Sequence, residues 1–365
     1  MDVMEAARRE EARGRDIIHM EVGQPGTPAP RAAREALAKA VRAGDPMGYT
    51  VALGLPALRA RIARHYRDWY GVDLDPERVI VTAGSSGAFI LAFLALFDAG
   101  DSVVIGDPGY PSYRNTFQAL GVNVRGVPTG PATRFQPVPA DLGDADGMLV
   151  ASPANPTGTM LGEAELRVLA DACKARGAAF ISDEIYHGLN WTGRCVSALE
   201  VTDDAYVINS FSKYFSMTGW RIGWMVVPQT HVRVIERLAQ NLFICPPHAS
   251  QLAALAAMDA QEELEANKAA YARNRDIVLN GLPDAGFARF APCDGAFYVY
   301  ADVSDLTDDS MAFAARMLAE AGVAATPGVD FDPERGARWL RFSFAGAESD
   351  MVEGMRRLRN WRKTA

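Results

Sequence analysis

The sequence predicts an α/β protein. We expect a large domain, built on a mostly parallel seven-stranded sheet between helices, and a smaller α+β domain. Two observations carry this prediction. Short apolar runs alternate with helical patterns through the middle of the chain, and the alternation ends at about residue 261, where a long helix and further strands follow. Strands that are apolar on both faces are typical of parallel sheets covered by helices on both sides.

The predicted elements can be taken in chain order. A charged helical pattern starts the chain, and seven apolar runs are predicted as strands of the large sheet: 78–82, 102–106, 122–127, 147–151, 178–182, 205–209 and 222–226. Helices are predicted at 86–97 and 163–176. The second part is predicted to contain a helix over 261–280, strands at 287–290, 296–300 and 338–344, and a last helix with a basic face. We therefore assign 1–35 to an N-terminal arm and part of the small domain, 36–260 to the large domain and 261–365 to the small domain.

Composition and charge exclude several classes of protein. The 37 basic and 45 acidic residues give a net charge of −8, which disfavours nucleic acid as a partner. No apolar run is long enough to span a bilayer, and the N-terminus does not resemble a signal peptide. The four cysteines are scattered without metal-binding spacing, so we predict no metal site and a cytoplasmic location.

Polar segments follow five of the predicted strands. They are Gly84–Gly87, Asp107–Pro111, Ser152–Pro156, Asp183–Tyr186 and Ser210–Lys213. In open parallel sheets, ligands bind beyond the carboxyl ends of the strands. These segments therefore predict one ligand site on this edge of the sheet.

The last of these segments indicates a chemistry. Lys213 is followed eight residues later by Arg221, and Ser210 and Ser212 stand just ahead of it. A lysine can form a Schiff base with an aldehyde, and an arginine with hydroxyl groups can hold a phosphate. Together they describe a site for pyridoxal 5′-phosphate (PLP). On its own, the same segment would equally suit a solvated polar turn.

The other segments also allow two interpretations each. Gly84–Gly87 can present helix N–H groups to a phosphate, or be a plain helix start. Asp183 can hold a protonated pyridine nitrogen, or cap a helix. Asn155 and Tyr186 can donate to a phenolic oxygen, although Asn155 also suits a turn. Tyr110 can stack on a pyridine ring, or simply pack.

In this order the motifs Asn-Pro-Thr-Gly, Asp-Glu-x-Tyr and Ser-x-Ser-Lys resemble those of fold-type I PLP enzymes. Within that group the chain is similar to class I/II aminotransferases of the aspartate aminotransferase superfamily, from Glu21 to Arg341. The resemblance implies that Lys213 forms the internal aldimine and Asp183 pairs with the pyridine nitrogen. Asn155 and Tyr186 then contact the phenolic oxygen.

The resemblance assigns further roles. Tyr110 stacks on the ring, and the phosphate end of the cofactor site comprises Ser85, Ser86, Gly87, Ser210, Ser212 and Arg221. Gly23, Asn155 and Arg341 bind the substrate carboxylate. Tyr49 reaches the partner's phosphate across a homodimer interface. Where some members have a histidine behind the ring aspartate, this chain has Tyr113, so the group that tunes Asp183 stays open.

The implied function is transfer of an amino group between an L-amino acid and a 2-oxo acid, with Lys213 as the catalytic base assisted by Asp183 and Tyr186. The alternatives are an aspartate-type aminotransferase, a PLP-dependent C–S β-lyase and a non-catalytic PLP-binding sensor. We predict a neutral aliphatic or aromatic donor. In the superfamily, a distal carboxylate is bound either by an arginine of a loop or by a lysine of the phosphate-binding turn. In this chain the comparable loop, 240–248, has no arginine, and Ser86 stands in place of the lysine. Arg15 and His19 are the remaining candidates for that role, and Phe243 and Tyr49 could supply apolar contact.

Overall fold

The structure, a computed structural model, describes residues 2–364. Its helices are α1 (Asp2–Ala12), α2 (Arg31–Arg42), α3 (Pro56–Tyr70), α4 (Gly84–Leu96), α5 (Pro111–Ala119), α6 (Glu163–Arg176), α7 (Val232–Leu242), α8 (His248–Ala257), α9 (Gln261–Asp284), α10 (Ser310–Ala321) and α11 (Glu348–Thr364). Its strands are β1 (Ile18–His19), β2 (Val79–Thr82), β3 (Ser102–Asp107), β4 (Asn123–Pro128), β5 (Gly147–Ala151), β6 (Ala179–Asp183), β7 (Tyr206–Ser210), β8 (Gly223–Val226), β9 (Arg289–Phe290), β10 (Tyr298–Asp302), β11 (Val323–Ala324), β12 (Thr326–Pro327) and β13 (Trp339–Ser343).

The seven predicted strands form one sheet in the order β2-β8-β7-β6-β5-β3-β4. Strand β8 runs antiparallel to both of its neighbours, and the other pairs are parallel. The predicted fold class, a mostly parallel sheet among helices, is confirmed. Bounds shift by one or two residues. Asp183 ends β6 instead of following it, and α4 starts at Gly84, so Ser85 and Ser86 lie in its first turn.

The large sheet is buried on both faces. Along β2, Val79 and Val81 pack into one hydrophobic cluster while Ile80 packs into another on the opposite side. Successive side chains of a strand point to opposite faces, so a strand covered on both sides needs an apolar residue at every position. This arrangement explains the continuous apolar runs in the sequence.

A second, antiparallel sheet has the order β12-β13-β10-β9. Strand β10 starts two residues later than predicted, because Ala296 has a positive φ of 56° that is incompatible with an extended strand. Strand β1 pairs with β11, which ties the N-terminal segment to the C-terminal part of the chain. The domain limits at 35 and 260 stay predictions. Within residues 2–364, no helix is both long and apolar enough to cross a membrane.

Candidate active site

A cavity of about 770 Å³ lies where the carboxyl ends of β3, β5 and β6 meet the first turn of α4 and the antiparallel sheet. Most of the predicted site residues line it: Gly23, Ser85, Ser86, Tyr110, Asn155, Asp183, Tyr186, Ser212, Lys213, Arg221 and Arg341. The fold therefore gathers into one cavity polar groups that are far apart in the sequence.

Three predicted residues do not line this cavity within the part of the chain described. Gly87 is buried inside α4. Ser210 supports its neighbour, since its hydroxyl lies 2.8 Å from Oγ of Ser212 and accepts the Ser212 N–H. Tyr49 is 84% exposed, away from the site of its own chain. Within one chain, Ser210 contacts the cavity-lining residue Ser212 and does not line the cavity itself.

Lys213 stands three residues after the end of β7. Its Nζ donates to the backbone oxygen of Gly23 at 2.7 Å. Burial lowers the pKa of Lys213 to about 8, and the like charge of Arg341 adds to this effect, while Asp183 opposes it. The structure thus holds an amine that loses its proton more readily than an ordinary lysine.

Asp183 is 2% exposed at the end of β6. Tyr113 donates a hydrogen bond to its Oδ2, and the N–H of Ile185 donates to Oδ1 at 3.1 Å. Burial raises the pKa of Asp183 to about 6, and the Tyr113 hydrogen bond limits that rise. Tyr113, not a histidine, is the group that tunes this carboxylate in the structure.

The first turn of α4 faces Arg221. Ala83 occupies the N-cap, where its side chain has no oxygen to accept the helix N–H groups. Gly84 has a φ of +71°, and a Cβ there would lie 2.4 Å from Nη2 of Arg221. Nη1 of Arg221 donates to the backbone oxygen of Thr218 at 3.0 Å, which fixes the guanidinium beside Ser86. This end of the cavity offers N–H groups, hydroxyls and a cation to an anion.

Arg341 lies on β13, is 7% exposed and lines the same cavity. Its Nη1 donates to Oδ1 of Asn155 at 2.8 Å and its Nη2 to the backbone oxygen of Glu21 at 2.5 Å. Its Nε is buried without an acceptor among the described residues. The guanidinium also lies between the rings of Tyr298 and Phe331, with Cζ 4.3 Å and 4.8 Å from their centres. A buried, oriented guanidinium of this kind suits a carboxylate.

Sequence reasoning missed Tyr298, Glu21 and Thr326. Tyr298 shares a 2.7 Å hydrogen bond with Tyr186, and Thr326 contacts Arg341 at 3.2 Å. Glu21 contributes through its backbone oxygen, which no side-chain motif can reveal. The antiparallel register of β10 and β13 brings Tyr298 close to Arg341, and that register is a property of the fold.

The site fits PLP on two independent observations. The uncapped start of α4 with Arg221 matches its phosphate group. Lys213 and Asp183 line the same cavity and match its aldehyde and its pyridine nitrogen. The orphaned Nε of buried Arg341 matches the carboxylate of an amino-acid substrate. The fold and the site together define a PLP-dependent enzyme of fold type I.

Comparison with known proteins narrows this class. The sequence model of the family "Aminotransferase class I and II" matches residues 15–358, and the chain belongs to this family. It is 48% identical to the valine–pyruvate aminotransferase of Mycobacterium tuberculosis over 370 residues, which cover 99% of this chain and 95% of that protein. It is therefore a PLP-dependent aminotransferase that acts on an amino acid and a 2-oxo acid.

Solved structures agree with this assignment. The crystal structure of a proposed aminotransferase from Silicibacter pomeroyi is 63% identical, with a TM-score of 0.95 over 100% of this chain and 96% of that one. The aspartate aminotransferase of Thermus thermophilus with maleate is 30% identical, with a TM-score of 0.92 over 99% and 95% of the two chains.

Proposed function

We propose that this aminotransferase takes a neutral L-amino acid such as valine as its donor, uses pyruvate as an acceptor, and holds PLP on Lys213. The observation that carries the proposal is the charge balance of the cavity. Its basic side chains among the described residues are Arg114, Lys213, Arg221 and Arg341. Arg114 contacts both carboxylate oxygens of Asp107, at 2.8 and 2.7 Å.

Each of the other three positively charged groups has a proposed role in amino transfer. Arg221 faces the phosphate end, Lys213 attaches the cofactor and Arg341 grips the α-carboxylate. None is left to bind a second, distal carboxylate. Burying that carboxylate without a partner costs about 1–3 kcal/mol or more, which disfavours aspartate.

Arg15 and His19, the other candidates for binding a distal carboxylate, pair with acidic side chains instead. Arg15 pairs with Glu10 at 2.8 Å, and His19 lies between Glu11 and Glu21 at 3.0 and 2.8 Å. Neither residue lines the cavity in the described part of the chain. Phe243 packs beside α4 and also does not line it, so the apolar contact predicted for Phe243 has no support within one chain.

The chain's own residues suffice for the proton transfers. Bound PLP supplies the electron sink that allows an amino acid to lose its α-proton. Lys213, with its pKa lowered to about 8, is the base that takes this proton and returns it. With PLP bound, Asp183 would hold its protonated pyridine nitrogen, and Tyr186 would donate to its phenolic oxygen. Arg341 with Asn155 orients the substrate by its carboxylate.

Similarity to known proteins also supports this choice of substrates. The relative at 48% identity is a valine–pyruvate aminotransferase, whereas the aspartate aminotransferase of Thermus thermophilus is 30% identical. This difference supports a neutral donor with pyruvate as acceptor. Aspartate remains the alternative donor that the measurements must exclude.

We also propose a homodimer in which Tyr49 completes the partner's site. Tyr49 is 84% exposed, and Val51 and Ile244 are 57% and 54% exposed. Nδ1 of His248 donates to the backbone oxygen of Gly48 at 2.8 Å, and this hydrogen bond joins the two segments that carry these residues. If Tyr49 acts in trans, mixing inactive Lys213→Ala and Tyr49→Ala chains restores one intact site per hybrid dimer.

The half-reaction tests the activity. PLP-loaded protein is incubated with valine in the absence of a 2-oxo acid, and the products are analysed. An aminotransferase yields the 2-oxo acid of valine and pyridoxamine phosphate, and a sensor leaves both reactants unchanged. A β-lyase would release pyruvate, ammonia and a thiol from a cysteine conjugate while retaining PLP. Either of the last two results, without amino transfer, contradicts the proposal.

A further inference from the structure

Tyr298 contacts three separate parts of the site. Its side chain is 1% exposed at the start of β10 and lines the cavity. Its hydroxyl lies 2.7 Å from that of Tyr186, and its ring lies 4.3 Å beneath the guanidinium of Arg341. It also closes on Gly23, where a Cβ would lie 1.8 Å from the Tyr298 hydroxyl.

The first contact determines what Tyr186 can do with its proton. A tyrosine hydroxyl has one proton to donate and lone pairs to accept with. If Tyr186 gives its proton to the phenolic oxygen of PLP, its own oxygen can accept the proton of Tyr298. Hydrogen bonds in such a chain strengthen one another, so Tyr298 makes Tyr186 a better donor.

The second contact orients Arg341, the residue proposed to bind the substrate carboxylate. Arg341 lies over the face of the Tyr298 ring, in the geometry of a cation–π interaction. A desolvated interaction of this kind is stronger than one at an exposed site. Without the Tyr298 ring, the guanidinium would lose one of its packing contacts and would be less well oriented to bind a substrate carboxylate.

The third contact reaches the catalytic lysine. The backbone oxygen of Gly23 accepts the hydrogen bond of Lys213 at 2.7 Å. Since any side chain at position 23 would collide with Tyr298, the glycine allows this backbone to lie against the ring. One side chain thus packs against the groups that position the base, the carboxylate and the phenolic oxygen.

We propose that Tyr298 is a positioning residue that serves both ends of the site: its hydroxyl strengthens the hydrogen bond from Tyr186 to the cofactor, and its ring orients Arg341. This proposal rests on the proposed function, because it assumes that PLP and a substrate carboxylate occupy the cavity. The two parts of the side chain have different tasks, so two substitutions can separate them.

Tyr298→Phe removes the hydroxyl and keeps the ring. A hydrogen bond donated to a phenolic oxygen favours its anionic form, so weakening it raises the pKa at which the absorbance of PLP-loaded protein titrates. We expect a rise of about 0.1–0.3 unit, because a neighbouring hydrogen bond strengthens an ordinary one by about 10–30%. The dissociation constant for isovalerate, an unreactive carboxylate, should stay within about twofold of wild type, since the ring beneath Arg341 remains.

Tyr298→Leu removes the ring as well. The dissociation constant for isovalerate should then rise about twofold to thirtyfold, in line with a lost cation–π contact. The matched control is Tyr300→Phe on the same strand. The Tyr300 hydroxyl is buried without a partner among the described residues, and its ring stacks on Trp339. Removing this hydroxyl should change neither the spectral pKa nor isovalerate binding.

The outcomes are distinct. An unchanged spectral pKa in Tyr298→Phe overturns the role of the hydroxyl, and unchanged isovalerate binding in Tyr298→Leu overturns the role of the ring. Equal shifts in Tyr300→Phe would show a general packing effect and overturn both. If Tyr298→Leu does not fold, Tyr298→Phe still decides the first role, and Tyr298→Trp, which retains an aromatic face, should bind isovalerate more tightly than Tyr298→Met. Failure of the proposed function is recognised separately, because wild-type protein would then not transfer the amino group of valine to pyruvate and would not bind isovalerate.

Discussion

Tyr113 and Asp183 share a buried hydrogen bond, in which the phenol donates to Oδ2 of the carboxylate. Both side chains are less than 5% exposed, at 4% and 2%. Burial raises the pKa of Asp183 to about 6, and the phenol counteracts this rise because it stabilises the charged form. The carboxylate is therefore held in a costly environment that a protonated pyridine nitrogen can compensate.

The cofactor-free protein should show that cost in its stability. The pKa of Asp183 is raised from 3.8 to about 6 on folding. As the pH rises from about 4 to about 6, the unfolded chain releases this proton while the folded protein still holds it, so the free energy of unfolding falls. Above pH 6 the total loss is about 3 kcal/mol. Asp183→Asn removes the effect. Urea unfolding at pH 5 to 8 should show the variant more stable than wild type, with an advantage that grows with pH and levels off above pH 7. If the stability difference between Asp183→Asn and wild type stays constant or decreases as the pH rises, the raised pKa of Asp183 is contradicted.

Attachment of PLP should depend on the protonation of Lys213. Only the neutral amine attacks an aldehyde, and burial with Arg341 lowers the pKa of this lysine to about 8. The rate of PLP binding to cofactor-free protein, followed by absorbance, should rise with pH with a midpoint near 8. Arg341→Met should move the midpoint upward, whereas Arg273→Met on the surface of α9 should not. A midpoint that ignores the Arg341 substitution would contradict the electrostatic explanation.

Gly84→Ala should weaken PLP binding through Arg221. The new Cβ would meet Nη2 of Arg221 at 2.4 Å, and the φ of +71° adds backbone strain. Gly71→Ala is the matched control, since Gly71 has a φ of +70° with no neighbour within 4 Å. Both variants should lose about 1–2 kcal/mol of stability from the strain. Only Gly84→Ala should raise the PLP dissociation constant tenfold or more, as loss of a charged hydrogen bond does. Equal PLP affinity in both would refute the assignment of this end of the cavity to phosphate.

The donor preference follows from the cations of the cavity. With pyruvate as the common acceptor, kcat/KM for valine or leucine should exceed that for aspartate by about tenfold or more, equivalent to about 1.4 kcal/mol. The physical reason is the unpaired distal carboxylate of bound aspartate. Alanine serves as the control for side-chain size. A value for aspartate equal to or above that for valine would mean that a cation binds the distal carboxylate, and it would contradict the predicted preference.

Local sequence was sufficient for the large sheet. Val79, Ile80 and Val81 are apolar because both faces of β2 are covered, so the run itself indicates a buried strand. The strand order, and the antiparallel direction of β8, could not be predicted from local periodicity. They depend on how the chain returns from Lys213 through the turn at Arg221, where φ is +50°.

The residues of the candidate site also fall into those that the local sequence indicates and those that depend on the fold. Asp183, Lys213 and Arg221 lie at strand ends or in short turns, where the residue types and their spacing already indicate a chemistry. Tyr298 and Thr326 act on Arg341 across the register of the antiparallel sheet, and Glu21 acts through its backbone. Such contacts depend on tertiary packing, which one sequence does not reveal.

Chemical trapping determines whether Lys213 is the residue that holds the cofactor. Sodium borohydride fixes PLP irreversibly to the amine that carries it, and peptide mapping by mass spectrometry then locates the label. We predict one pyridoxyl group per chain, on Lys213, and none in Lys213→Ala. The same label on another lysine, or undiminished labelling and amino transfer in Lys213→Ala, would contradict the account.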